Sequence, residues 1–223
     1  MKLEFKNFSG FAECKFYNER YYSYFDEFSY SFNPGVNLLV GQIDDGGWAL
    51  SYLLDPVIDK HIVIDEGSQI ELNGKEASLS DVRKISHALG QSNNTQSCQR
   101  QIKKALKNNP FVSESELFEK FELTKERYNR KLSQVGNEIW KITAAIGFSQ
   151  NKKIFCYPWL SNRYLYQVIH SLEIISKIIK ENNQILILPC ENTKMLDEFS
   201  DIEYTGIDVS WETELKYKLE KEL

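Results

Sequence analysis

The sequence has no cysteine pair at CxxC spacing, and its four cysteines, Cys14, Cys98, Cys156 and Cys190, lie far apart without a histidine at ligand spacing. This excludes a zinc site of the usual kinds and leaves Cys156 and Cys190, in or just after apolar runs, to act as small buried hydrophobes. No uncharged apolar run approaches the length of a membrane span. The beginning, MKLEFKNFSG, has scattered charges and no apolar core of a signal segment, so a cytoplasmic protein is expected. Excess positive charge is missing too: 27 Lys and Arg stand against 32 Asp and Glu, a net charge of −5, and no segment gathers them into a phosphate-backbone footprint. Nucleic acid is therefore not an expected partner.

What is present is ordinary globular material, with 42% hydrophobic and 26% charged residues over 223 positions. That length suits one domain carrying an inserted subdomain. Leu3 to Phe5 alternates, as does Phe28 to Phe32 before the turn Asn33-Pro34-Gly35, which predicts a β-rich start. Val36 to Val40 is apolar except at Asn37 and runs into Gly41-Gln42-Ile43-Asp44-Asp45-Gly46-Gly47, followed by the helix-compatible stretch from Trp48 to Leu54. Buried strand, glycine loop and helix in that order open a phosphate-binding α/β fold.

His61 to Ile64 and Gln69 to Leu72, before the turn Asn73-Gly74, read as a hairpin. Ser80 to Gly90 carries a short helical pattern. A helical middle third follows, from Cys98 to Leu106, Ser113 to Phe121 and Thr124 to Lys131, with the first piece stopped by Asn108-Asn109-Pro110. Lys153 to Tyr157, the amphipathic stretch Tyr164 to Ile179 and the apolar run Gln184 to Leu188 form a strand, helix, strand unit of a parallel sheet.

Order and spacing together resemble the ATP-binding domain of ABC transporters over nearly the whole chain. The resemblance implies an α/β, P-loop NTPase-like core with an N-terminal antiparallel β subdomain and a helical insertion. It divides residues 1–223 into a β-rich part and P-loop-like core (1–91), a helical subdomain (about 92–135), and a signature-like helix with the second half of the core (136–223). The frame GxxxxGK[ST] falls on Gly41 to Gly46, with Gly47 in the lysine's place and Trp48 in the hydroxyl's. Ile62-Val63-Ile64 with Leu72-Asn73-Gly74-Lys75 looks like the family's hairpin, and Val82 to Gly90 leads to Gln91 as the Q-loop glutamine. Leu132-Ser133-Gln134-Val135-Gly136 resembles the signature LSGGQ at a helix start. Ile154 to Pro158 takes the place of Walker B, with Cys156 for the aspartate and Tyr157 for the glutamate. Arg163 falls on the D-loop aspartate and Cys190 on the switch histidine.

These replacements remove chemistry. A P-loop surrounds phosphates with backbone N–H groups and a lysine while a hydroxyl and a carboxylate hold Mg²⁺. Gly47 supplies no cation and Trp48 no metal ligand. Asp44 and Asp45 add negative charge, and a like charge at about 4 Å costs on the order of 4 kcal/mol at an effective dielectric near 20. Tyr157, a phenol with an ordinary pKa of about 10, and Cys190 are poor groups for activating water. The cysteines have no neighbouring histidine in sequence to make either a nucleophile, since His61, His87 and His170 lie in other segments.

The expectation is a degenerate ABC subunit with no catalytic residue of its own, no cofactor and no metal. Gly41, Gly46, Gly47, Trp48 and Gln91 outline the damaged nucleotide site. Ser133 and Gly136 are the groups that would reach, in trans, a γ-phosphate held by another subunit. The resemblance implies a homodimer, or a heterodimer with a competent ABC ATPase domain, and a membrane permease facing the polar, basic stretch Ser92 to Lys107, at the inner face of the cell membrane. The aromatic cluster Phe16 to Phe25 lies where the family stacks adenine, with Tyr17, Tyr21, Tyr22 and Tyr24 all available. Two other functions stay open: an ATP-binding subunit with slow or partner-dependent hydrolysis, with ATP and Mg²⁺ bound, and an interaction scaffold unrelated to transport.

Overall fold

The structure, a computed structural model, describes residues 1–16, 19–43, 47–54, 62–90, 96–107, 109 and 112–209; for 11–16, 19–24, 48, 49, 52 and 62 it describes the backbone alone. Gly46, Asp44, Asp45, His61, Tyr17 and Gln91 lie outside the described residues.

Strands β1 (Leu3–Phe16) and β2 (Glu19–Phe32) form a long antiparallel pair, running from Leu3 opposite Phe32 to Phe16 opposite Glu19. Its register shifts between Phe5 and Phe8 and again before Gly10, and Asn7 and Glu27 take left-handed φ values of 46° and 47° there. Side chains alternate faces along a regular strand, so residues three apart would point oppositely. The shifts cancel that parity and turn Phe5 and Phe8, and likewise Phe25 and Phe28, toward one core. These rings pack edge on, with Phe5 and Phe8 centroids 4.9 Å apart and Phe8 and Phe25 5.8 Å apart.

The expected hairpin between residues 61–64 and 69–72 is not formed. Instead β4 (Ile62–Ile64) and β5 (Gln69–Leu72) lie end to end along β1, one paired with Gly10 to Ala12 and the other with Leu3 to Lys6. Gly10 permits the first pairing, because a Cβ there would stand 2.4 Å from the carbonyl oxygen of Val63. The turn Asn73-Gly74, with φ of 54° and 74°, closes a different hairpin, between β5 and β6 (Lys75–Glu76).

A second sheet is wholly parallel in the order β10-β3-β9-β8-β7. Its strands are β3 (Gly35–Val40), β7 (Ser86–Ala88), β8 (Ile154–Cys156), β9 (Ile185–Cys190) and β10 (Tyr204–Asp208). Strand β7 corrects the helical pattern expected to Gly90: helix α2 (Leu79–Ile85), opened by the Ser78 and Asp81 capping box, ends at residue 85.

The face of this sheet with Leu39, Ile154, Cys156, Ile185 and Ile187 packs on the antiparallel sheet and on α1 (Gly47–Leu53). The other face, with Leu38, Phe155, Leu186 and Leu188, is covered by α6 (Ile139–Ser149) and α7 (Asn162–Glu181). Burial on both faces is why β9 is apolar throughout. On α7 the buried stripe is Leu165, Val168, Leu172, Ile175, Ile178 and Ile179, at helical spacing, with Ile169 at its margin.

Between β7 and α6 the helical part holds α3 (Cys98–Leu106), α4 (Glu114–Lys120) and α5 (Lys125–Tyr128), the first two capped by Ser97 and Ser113. After β9, α8 (Lys194–Phe199) leads to β10. Buried Asn37 joins the parts: its amide donates to the carbonyls of Asn33, Gly35 and Leu186, and its oxygen accepts from the Asn33 N–H and the Thr205 hydroxyl. Among the described residues no helix is long and apolar enough to cross a membrane.

Candidate functional site

Ligands of open α/β sheets are received at the carboxyl ends of the strands. Here those ends bring together Gly41, Tyr157 and Cys190, which are 116 and 33 positions apart in sequence. The Gly41 N–H donates to the carbonyl of Cys190 at 3.0 Å, and the Tyr157 N–H to that of Ile187 at 2.9 Å.

The expected frame of buried strand, turn and helix is present in β3, residues 41–43 and α1. Gly47 is buried as the first residue of α1, and a Cβ on it would stand 3.0 Å from both Leu39 Cβ and Val209 Cγ2. Gly47 is thus a close-packing point between helix and sheet. Of Trp48 only the backbone, within α1, is described.

Beyond β8 the chain turns inward. Tyr157 is fully buried, its ring stacked on Trp140 with centroids 5.0 Å apart, and its hydroxyl has no hydrogen-bond partner among the described residues. Burial pushes the phenol pKa far up. Cys156 is buried in the opposite core, against the antiparallel sheet. Burial, with Glu191 adding to it, pushes the Cys190 thiol up to about 12. Cys98, Cys156 and Cys190 form no disulfides. Among the described residues no three His, Cys, Asp or Glu side chains cluster to hold a metal ion.

Arg163 is exposed at the start of α7, where the preceding Asn162 N–H donates to the Glu191 carboxylate at 3.0 Å. Ser133 and Gly136 are exposed, but they sit in two successive 3-10 turns (Leu132–Gln134 and Gly136–Glu138) ahead of α6, which starts at Ile139. The helix start expected there lies farther along. Gly136 has φ of 58°, and Arg127 braces the turns by donating to the Val135 carbonyl at 2.7 Å and approaching Glu138 at 3.7 Å.

His87, on β7, has a buried Nε2 without a hydrogen-bond partner among the described residues, and burial followed by the nearby Lys152 lowers its pKa to about 4. His170 is exposed between Glu122 and Glu173, each at 3.8 Å. The side chains of Cys14, Tyr21, Tyr22 and Tyr24 are not described, nor are residues 92–95 of the basic stretch; α3 within it turns Arg100, Lys103 and Lys104 outward.

Three contributors carry no sequence motif. The Trp159 indole N–H donates to the carbonyl of Gly41 at 2.9 Å, the Ser51 hydroxyl donates to the carbonyl of Tyr157, and Trp140 covers Tyr157. No motif signals them, because each acts through a contact distant in sequence.

No family model matches the sequence, and no curated protein does either. Solved structures do. A structure described as the ATP binding subunit of an ABC transporter superposes with a TM-score of 0.62 at 14% identity, covering 93% of this chain and 86% of that one. A putative ABC transporter ATP-binding protein from Pyrococcus furiosus gives 0.63 at 14% identity, covering 94% and 98%. A dimeric bacterial ABC transporter cassette gives 0.62 at 13% identity, covering 94% and 97%. With its antiparallel sheet, parallel sheet and helical part, this chain has the fold of the ABC ATP-binding cassette.

Proposed function

We propose that the chain is a degenerate ABC ATP-binding subunit that does not hydrolyse ATP at its own site, requires no cofactor, and acts as a structural or regulatory partner. The observation that carries this is the state of Tyr157. The residue aligned with the catalytic carboxylate is fully buried, stacked on Trp140 and held neutral by its surroundings. A phenol so placed neither orients nor deprotonates a water.

Two further features support the reading. Gly47, in the place of the phosphate-binding lysine, is packed where a side chain would crowd Leu39 and Val209. The residues at the ends of β8 and β9 do not fit a magnesium-bound triphosphate, since Cys156 and Cys190 are buried thiols rather than carboxylate and imidazole. The partner is a second cassette, competent or identical, and a membrane permease. Ser133 and Gly136 remain exposed for contact with a neighbouring subunit.

Thermal melting with and without millimolar ATP and Mg²⁺ tests this. A ligand at a hundredfold its dissociation constant stabilises by about 2.7 kcal/mol. No shift is expected. A shift of that size, lost on removing Mg²⁺, would mean that the chain is instead an ATP-binding subunit of ordinary kind.

A further inference from the structure

The segment after β8 holds both sides of the glycine turn. Before the turn, the Gly41 carbonyl accepts the Trp159 indole N–H at 2.9 Å. Past it, Ser51 of α1 donates its hydroxyl to the carbonyl of Tyr157. That same segment is zipped to β9, because the Leu160 N–H donates to Pro189 O at 3.0 Å and the Glu191 N–H to Leu160 O at 3.1 Å.

Gly41 follows β3 on one side of β9, and Trp159 follows β8 on the other. Neighbouring strands lie about 4.8 Å apart. An indole that joins the flanking segments therefore crosses the last residues of β9, at the edge where such sheets receive ligands. Trp159 and Ile43 of the turn also pack on one apolar cluster, with Leu39 and Val209 in it.

We infer that Trp159 is a latch: its indole crosses the last residues of β9 and ties the glycine turn to the segment between β8 and α7. It keeps this end of the sheet filled with the protein's own side chain. Its meaning rests on the degenerate-site reading above, but its test does not.

The test is residue-resolved amide exchange on the full chain. Trp159→Phe keeps a ring and deletes the donor, and Trp159→His restores a ring N–H. In W159F, exchange at residues 41–43 and at Gly47 to Leu50 is expected to rise roughly 5- to 10-fold, the effect of losing one neutral hydrogen bond. Ile187 and Leu188 in β9 should keep their rates, and W159H should recover part of the protection. Unchanged rates at residues 41–43, or an equal rise in β9, overturn the latch. In the unsubstituted protein the Trp159 indole N–H should exchange slowly; exchange as fast as that of a free indole overturns it without any variant. Binding of ATP in the melting experiment would sink the degenerate site while leaving the latch to be judged on the exchange rates alone.

Discussion

Single residues carry the proposed difference between this chain and an active nucleotide site. Gly47 shows how. Installing the lysine and hydroxyl that the resemblance calls for, Gly47→Lys with Trp48→Ser, brings a Cβ to 3.0 Å from Leu39 and Val209. Overpacking of this kind costs typically 1–3 kcal/mol. The double variant is expected to melt lower than the parent and to gain no ATP-dependent shift; a parent-like melting temperature with ATP stabilisation would contradict the packing assigned to Gly47.

Gly147 is tighter still, because a Cβ there would stand 2.6 Å from the His87 ring and 2.8 Å from the Phe155 ring. Gly147→Ala should lower the urea midpoint by the equivalent of about 2 kcal/mol despite the better helix propensity of alanine.

His87 adds a pH dependence. Its pKa is lowered from 6.5 to about 4 in the folded protein, so between those values the unfolded chain binds a proton that the native chain refuses. The stabilising contribution of neutral His87 is therefore present above about pH 6.5 and is lost as the pH falls toward 4. A shift of this size corresponds to up to about 3 kcal/mol. Urea midpoints at pH 7 and pH 4.5 should diverge more for the parent than for His87→Gln, and parallel curves would remove His87 as the cause.

At the scale of elements, Asn37 decides how β3 is held. A polar side chain in the middle of an apolar strand is costly unless its bonding capacity is met, and here five contacts meet it. It binds the turn that ends β2, the neighbouring strand β9 and, through Thr205, the edge strand β10. Asn37→Leu should destabilise by about 2–4 kcal/mol, since it removes the hydrogen bonds that this buried side chain makes to the turn before β3 and to β9 while gaining little room. Equilibrium urea unfolding measures this, and a loss below about 1 kcal/mol would show that β3 and β10 do not depend on it.

The flanks of the glycine turn are held in the same way, Gly41 by the Trp159 indole and α1 by the bond of Ser51 to the Tyr157 carbonyl. The local sequence announces a turn between strand and helix. It does not announce the two contacts that hold its flanks, Trp159 with Gly41 and Ser51 with Tyr157, whose partners lie 118 and 106 positions apart.

For the whole molecule, the parallel order β10-β3-β9-β8-β7 sets which residues meet at the carboxyl edge. The alternation of buried strands and amphipathic helices made that architecture legible in the sequence, because burial on both faces writes continuous apolar runs and one-sided burial writes helical stripes. The same grammar misled where geometry departs from its periods. The shifts at Asn7 and Glu27 break the alternation of β1 and β2, and β7 is only three residues long, too short to show a period after α2. The placement of β4 beside β5 along β1 escaped because strands near in sequence usually pair, while the absence of a Cβ at Gly10 opened a place on β1 instead.

By itself the sequence determined the class of fold, the place of the glycine turn and the absence of lysine, aspartate, glutamate and histidine from the positions that the resemblance assigns them. Those follow from residue type and local period, which a linear chain carries openly. Only the tertiary structure decided that Tyr157 faces inward onto Trp140, that Gly47 is a packing contact, and that Trp159 crosses the end of β9. Each depends on which strands become neighbours, and that is settled by burial of the whole core rather than by any segment alone.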